Sequence, residues 1–374
     1  MHKTEEIFLK YPNKRDVVFV LGAGASQPDG IPLQRFMLPK ILSGEIEEIA
    51  KSEIGNKVIS FIKDNFTYES SLHQYPQLEA VFGFLDYFIQ QSESLNQKYP
   101  YSEIVTIREY LIKLIYYIVN FKTDKHSKYY HKFWQGIQKH NNNISIVTLN
   151  YDTLLEQSFE FLFKHFGYID YCLPLMNYEK TDKLKPFNFW INPREPVHIE
   201  QNEEPVSIKI IKVHGSLNWK YCNCCNQLLL TPWDRMIDLK KGKFLGYTYP
   251  DLKEYEYVCP LDGTDFQTLI MPPSYVKTLN HPIVSQLLIE AAREIRNTKK
   301  IVFVGYSLSD ADVHIKALFK KQLREDVKVY VINSRITDNL KRKYLSLTKK
   351  IKFIESPFET MVFNEELISE LLDF

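Results

Sequence analysis

Apolar and polar positions along the chain fall into two kinds of run. Val17 to Leu21 ("VVFVL") is apolar throughout, the pattern of a strand buried on both faces, and leads into "GAGASQPDGIP". Four later stretches share that form, with a β-rich segment ending in polar or small residues. They are "ISIVTLNYDTLLEQSFEFLF" (Ile144 onward), "IKIIKVHGSLNW", "KKIVFVGYSLSDADVHIKALFKK" and "VKVYVINSR". Strands alternating with helices predict an α/β fold built on a doubly wound parallel sheet, in which ligands bind beyond the carboxyl ends of the strands. The polar strand ends then face one crevice. The other kind of run repeats apolar residues every three or four positions. Residues 36–139 read as a helical insertion containing "SEIVTIREYLIKLIYYIVNF" and "YPQLEAVFGFLDYFIQQ", the second with Glu79 on a buried helix. Residues 160–280 are irregular and hold all five cysteines, and "FNEELISELLDF" closes the chain as an amphipathic helix. Neither repeats nor low-complexity linkers divide residues 1–374, so a single catalytic domain with two elaborations is expected.

Composition narrows the classes. With 374 residues, 44% of them hydrophobic, the chain can bury a sizeable core. A net charge of +1 without long one-sign runs argues against direct nucleic-acid binding. The charged start "MHKTEEIFLKYPNKRD" has no signal-peptide core, and "LIKLIYYIVNF" is too short to span a bilayer and carries Lys113. A cytoplasmic protein with free cysteines is expected, with no membrane partner.

Three of only 13 glycines stand at Gly22, Gly24 and Gly30. Missing Cβ atoms at a strand exit, with small Ala23, Ala25 and Ser26, suit close approach of a pyrophosphate; a tight turn without ligand is the plainer alternative. Asn150 and Asp152 follow one strand, His214 another. Asp152 has two readings, a ligand contact and an N-cap for the helix starting near Thr153. Ser307, Ser309 and Asp310 could likewise be capping residues.

The ordered set "GAGAS", "GIP", "TLNYD", "HGSLNW" and "GYSLSD", spanning about residues 16–335, resembles the sirtuin superfamily. It is most similar to the bacterial NAD-hydrolysing branch found in anti-phage defence. The resemblance implies a Rossmann-like core with NAD as substrate. Gly22, Ala23, Gly24 and Ser26 would carry the pyrophosphate loop, with Arg35 nearby. Asn150 and Asp152 would stand at the nicotinamide ribose, and His214 would be the catalytic histidine. Gly305, Ser307 and Asn333 would line the adenosine end. Departures at Leu33, Gln34 and Leu149, where deacetylating sirtuins usually carry other residues, weigh against deacylation. NAD+ glycohydrolysis is the leading expectation; an NAD-dependent protein deacylase and a non-catalytic NAD or ADP-ribose sensor are the alternatives. The chemistry asks for a positioned hydrogen-bonding group, which suits Asn150, and a base of pKa near 7, which suits His214.

Sirtuins commonly hold a structural zinc on four cysteines. Here Cys222 and Cys225 have the two-residue spacer of a knuckle, and "CPLDG" offers Cys259 with Asp262 in place of a last cysteine. The fourth ligand is open between Asp262, Cys224 and none, and a metal-free knuckle is the alternative. Cys172 reads as a buried apolar residue. Because free NAD cleavage would poison the cell, and few residues follow Asn333, control by self-assembly or a partner is expected. The resemblance implies a homo-oligomer working with a HerA-type ATPase.

Overall fold

The computed structural model describes all residues except 1–3, 70–73, 124–125, 163–166, 177–191, 201–204, 232–235, 240–242, 248–253, 257, 278, 280 and 374. Its centre is a parallel seven-stranded sheet. In chain order the strands are β1 (Val17–Leu21), β2 (Ile144–Thr148), β3 (Gly167–Asp170), β4 (Val206–Lys212), β5 (Lys300–Val304), β6 (Lys328–Asn333) and β7 (Ile351–Glu355). Their spatial order is β7-β6-β5-β1-β2-β4-β3. β1, β2 and β5 are buried at every position, and apart from Lys300 at the start of β5 their residues are apolar or small.

Register shows why helices cover both faces. Val302 pairs with Phe19 and Phe303 with Val20, so Phe19 and Phe303 point to opposite sides. Phe19 meets Phe133 of helix Lys128–His140 edge-on at 5.1 Å. Phe303 meets Phe319 and Tyr344, from helices Val313–Gln322 and Asp338–Leu345, at 4.8 and 5.0 Å. The sheet is therefore doubly wound, as expected.

Three boundaries differ from the sequence reading. Lys128–His140, placed in the insertion, packs on β1; the insertion proper is built of helices from Met37–Leu42 to Tyr101–Thr123. β3 lies inside the stretch read as irregular. β7 extends the sheet beyond Asn333, and its half-exposed "IKFIE" carries too weak an alternation to stand out. The closing amphipathic helix is present as Glu365–Leu372, capped by Asn364. Strand Gly215–Tyr221 turns away from β4 and pairs antiparallel with Leu228–Leu230 and Gln267–Ile270, founding a small all-β module. No described helix is long and apolar enough to cross a membrane.

Candidate functional site

The chain leaves β1 toward β2 on one side and returns through β5 on the other, so the strand order reverses between β1 and β5. That reversal opens a crevice at the carboxyl ends. Leu21 pairs with both Thr148 and Val304, Thr148 with Lys212, and Val304 with Ile332. Gly22, Leu149, Val213, Gly305 and Asn333 therefore follow in one row, and the residues after them rim the crevice.

The glycines owe their place first to one another. A Cβ on Gly22 would lie 2.6 Å from the Tyr306 Cα, one on Gly24 2.7 Å from the Gly305 Cα, and one on Gly305 2.5 Å from the Ala25 nitrogen. Gly305 also has φ +62°. The amide of Gly24 donates to the Gly305 carbonyl at 2.9 Å, and those of Gly22, Ala25 and Ser26 are bonded within the same crossing. The turn thus exists to let two backbones touch, and its glycine amides are not free for an anion. Gly30, with φ +88°, ends a short turn in the left-handed region.

A cavity of about 910 Å³ sits over this floor. Ala23, Gly24, Arg35, Asn150, Asp152, His214, Gly305, Ser307 and Asn333 all line it, as do Leu33, Gln34 and Glu79. A side pocket of about 330 Å³ continues past Asn333 to Phe358 and Glu359. Gly22 and Ser26 do not line the cavity. Ser26 is fully buried beneath it and acts through Asn150. The Asn150 Nδ2 donates to the Gly22 carbonyl and to the Ser26 Oγ, both at 3.0 Å, and that Oγ lies 2.9 Å from the Tyr130 hydroxyl. Both amide hydrogens are spent inward, which leaves the carbonyl oxygen as Asn150's free group.

Asp152 does cap: the Leu154 amide donates to its Oδ1 at 3.2 Å, at the start of helix Leu154–Leu162. Burial raises its pKa against the pull of Lys212. Lys212, on β4, donates to the Asp152 carbonyl and to the Glu156 Oε1 (2.7 Å), all out of water. This buried pair ties the strand carrying His214 to the loop carrying Asp152. Lys212→Met leaves the Glu156 carboxylate without its cation and is expected to cost about 3–5 kcal/mol, read as a lower Tm.

His214 is 6% exposed. Burial, with Lys277 adding to it, pushes its pKa down to about 3, against the pull of Asp312. The expected base of pKa near 7 is thus instead a firmly neutral imidazole. Its Nε2 lies 3.3 Å from the His314 Nε2 and 3.6 Å from the Asp312 Oδ1. Lys277 Nζ donates to that same Oδ1 at 2.6 Å and the Tyr306 hydroxyl to Oδ2 at 3.0 Å. His214, Asp312 and His314 bring possible metal-ligand atoms within 4.8 Å of one another, but the cation at this carboxylate is the Lys277 ammonium. The sequence reading missed Lys277, Asp312 and His314. It quoted Asp310 instead, which is 82% exposed and pairs with Lys343. Ser309 accepts from the Ala311 amide at 3.4 Å, so it serves the turn.

In the small module, Cys222, Cys225, Cys259 and Asp262 place one ligand atom each within 4.8 Å of one another, and Cys224 is exposed. Of the candidate fourth ligands, Asp262 stands with the cysteines, its Oδ2 3.2 Å from the Cys222 Sγ. Sulfurs of Cys225 and Cys259 are 4.0 Å apart, close to the spacing of about 3.8 Å set by tetrahedral zinc at 2.3 Å from each. The donors fit zinc. Elemental analysis is expected to find one zinc per chain, lost in Cys259→Ser with loosening of the module. Cys172 is fully buried, as expected.

A family model described as a SIR2-like domain matches residues 144–354. Among solved structures, the chain is similar to a Sir2 homologue–NAD complex (14% identity, 96% of this chain and 90% of that chain, TM-score 0.46). It is also similar to a mutant Sir2 homologue with ADP ribose (14%, 96% and 92%, TM-score 0.46) and to Sir2 with a p53 peptide and NAD+ (13%, 93% and 91%, TM-score 0.43). No curated protein matches significantly. With a match over more than half of its length, the chain belongs to the SIR2-like domain family.

Proposed function

We propose that this protein is an NAD+ glycohydrolase, releasing nicotinamide and ADP-ribose. The observation that carries the reading is the convergence of Asn150, His214, Asp152, Gly24, Gly305 and Asn333 on one cavity at the strand-order reversal. When the ribose C1′–N bond breaks, its electron pair neutralises the nicotinamide, so no general acid is needed and positive charge grows on the sugar. The carbonyl oxygen of Asn150 holds a ribose hydroxyl or the attacking water. His214, neutral, accepts the proton as the water oxygen bonds to C1′. Ala23, Gly24 and Arg35 take the pyrophosphate side; Gly305, Ser307 and Asn333 take the adenosine side.

Hydrolysis is favoured over deacylation by what surrounds His214. An acyl-lysine needs an apolar channel to the reacting ribose, and the neighbours here are Lys277, Asp312 and His314. Extended to biology, the reading makes the protein an NAD-depleting effector of bacterial anti-phage defence, a homo-oligomer that cleaves strongly only when docked on a HerA-type ATPase. Purified protein with NAD+, alone and with such an ATPase, tests both levels by chromatography and light scattering. Matched release of nicotinamide and ADP-ribose, raised by the partner, is expected. Acyl-ADP-ribose formed from an acyl-lysine peptide without free ADP-ribose overturns the hydrolase; a fully active monomer overturns the gating.

A further inference from the structure

The hydrolysis proposed above asks a buried histidine to take a proton beside an ammonium group. The groups facing His214 come from three elements. Tyr151, after β2, has its ring 6.4 Å away; Lys277 follows strand Gln267–Ile270; Asp312 and His314 stand at the start of helix Val313–Gln322. The backbone of Leu149 favours the charged form of the imidazole.

Asp312 is the one carboxylate within ion-pair distance of His214 among the described residues, and it is clamped. Lys277 holds Oδ1, the Tyr306 hydroxyl holds Oδ2, and its own amide donates to the Ser309 carbonyl at 3.0 Å. Burial opposes its charge, but His214 and Lys277 beside it keep the carboxyl below the usual range. A buried carboxylate held at both oxygens and facing an imidazole nitrogen at 3.6 Å is the third member of a base-and-orienter arrangement.

We propose that Asp312 is the positioning carboxylate of His214, orienting its Nε2 and offsetting the Lys277 charge as the ring gains a proton. The inference rests on the NAD-cleavage reading. In the step, the C1′–N bond breaks and its electron pair leaves with nicotinamide, a water O–H bond breaks, the water oxygen bonds to C1′, and the proton goes to the His214 imidazole. Asp312 stays ionised throughout, and the proton leaves His214 for solvent after ADP-ribose departs.

Asp312→Asn keeps the shape and removes the charge. NAD turnover is expected to fall about 100-fold in kcat, the lower end of what a positioned base contributes, with little change in KM. Asp312→Glu restores part of it. The double variant Asp312→Asn/Lys277→Met turns over faster than Asp312→Asn alone, because the uncompensated ammonium has gone; a merely structural role predicts a further loss. Unchanged kcat in a folded Asp312→Asn protein, or no gain in the double variant, overturns the proposal. A second arm needs no turnover: the ¹⁵N shifts of the His214 ring in the unliganded protein should move in Asp312→Asn, and unmoved shifts overturn the coupling. If the wild-type protein releases no nicotinamide even with its ATPase, the hydrolase reading fails and the ring shifts still decide the pairing.

Discussion

Replacing His214 with alanine is expected to cut nicotinamide release by about 100- to 10,000-fold, the range set by loss of a positioned base. The ring projects into the cavity beyond the end of β4, so the folded protein should persist, with a cooperative melt near that of the wild type. Asn150→Ala should be equally inactive for a different reason. It removes the carbonyl that faces the cavity and also the two inward bonds to Gly22 and Ser26. A buried carbonyl loses its partner, so about 1–3 kcal/mol of stability goes with the activity. NAD+ consumption and thermal melting, measured together, separate the two cases. Wild-type turnover in either variant would show that the site is assigned to the wrong residues.

The second large effect is on the fold. Gly305→Val should prevent stable folding, since its Cβ would sit 2.5 Å from the Ala25 nitrogen at a φ of +62° that β-branched residues avoid. Gly24→Val meets Gly305 at 2.7 Å and should lose about 4 kcal/mol or more. Circular dichroism and melting curves check both. A folded Gly24→Val protein that merely fails to bind NAD+ would mean that the loop contacts the ligand first and Gly305 only second.

Much of this architecture was legible because the central parallel strands are largely apolar and lead into small or polar residues. Val17–Leu21, Ile144–Thr148 and Lys300–Val304 announce themselves, and with them Gly24, Asn150 and Gly305. What stayed hidden is of another kind. Lys212 and Glu156 are charges in apolar runs, and only the fold shows that they find each other. Asp312 was passed over for Asp310 because neighbouring acids in "SDAD" look alike until the helix start turns one inward and the other out. The close approach behind Gly22 and Gly24 could not be inferred locally, since their partner lies at Gly305.

That pairing also orders the protein's birth. β1 is made long before its neighbour on one side, β5, because residues 17–21 pair with residues 300–304. During synthesis β1 and β2 can pair early, while the opposite edge of β1 keeps its amides and carbonyls unmatched until residues 300–304 emerge. Contacts so distant in sequence form late and slowly. The cavity floor, closed where Gly24 meets Gly305, therefore forms only after β5 has been made. A ribosome-bound or truncated chain lacking β5 has no floor to the cavity, so whatever the cavity binds must wait for residues 300–305.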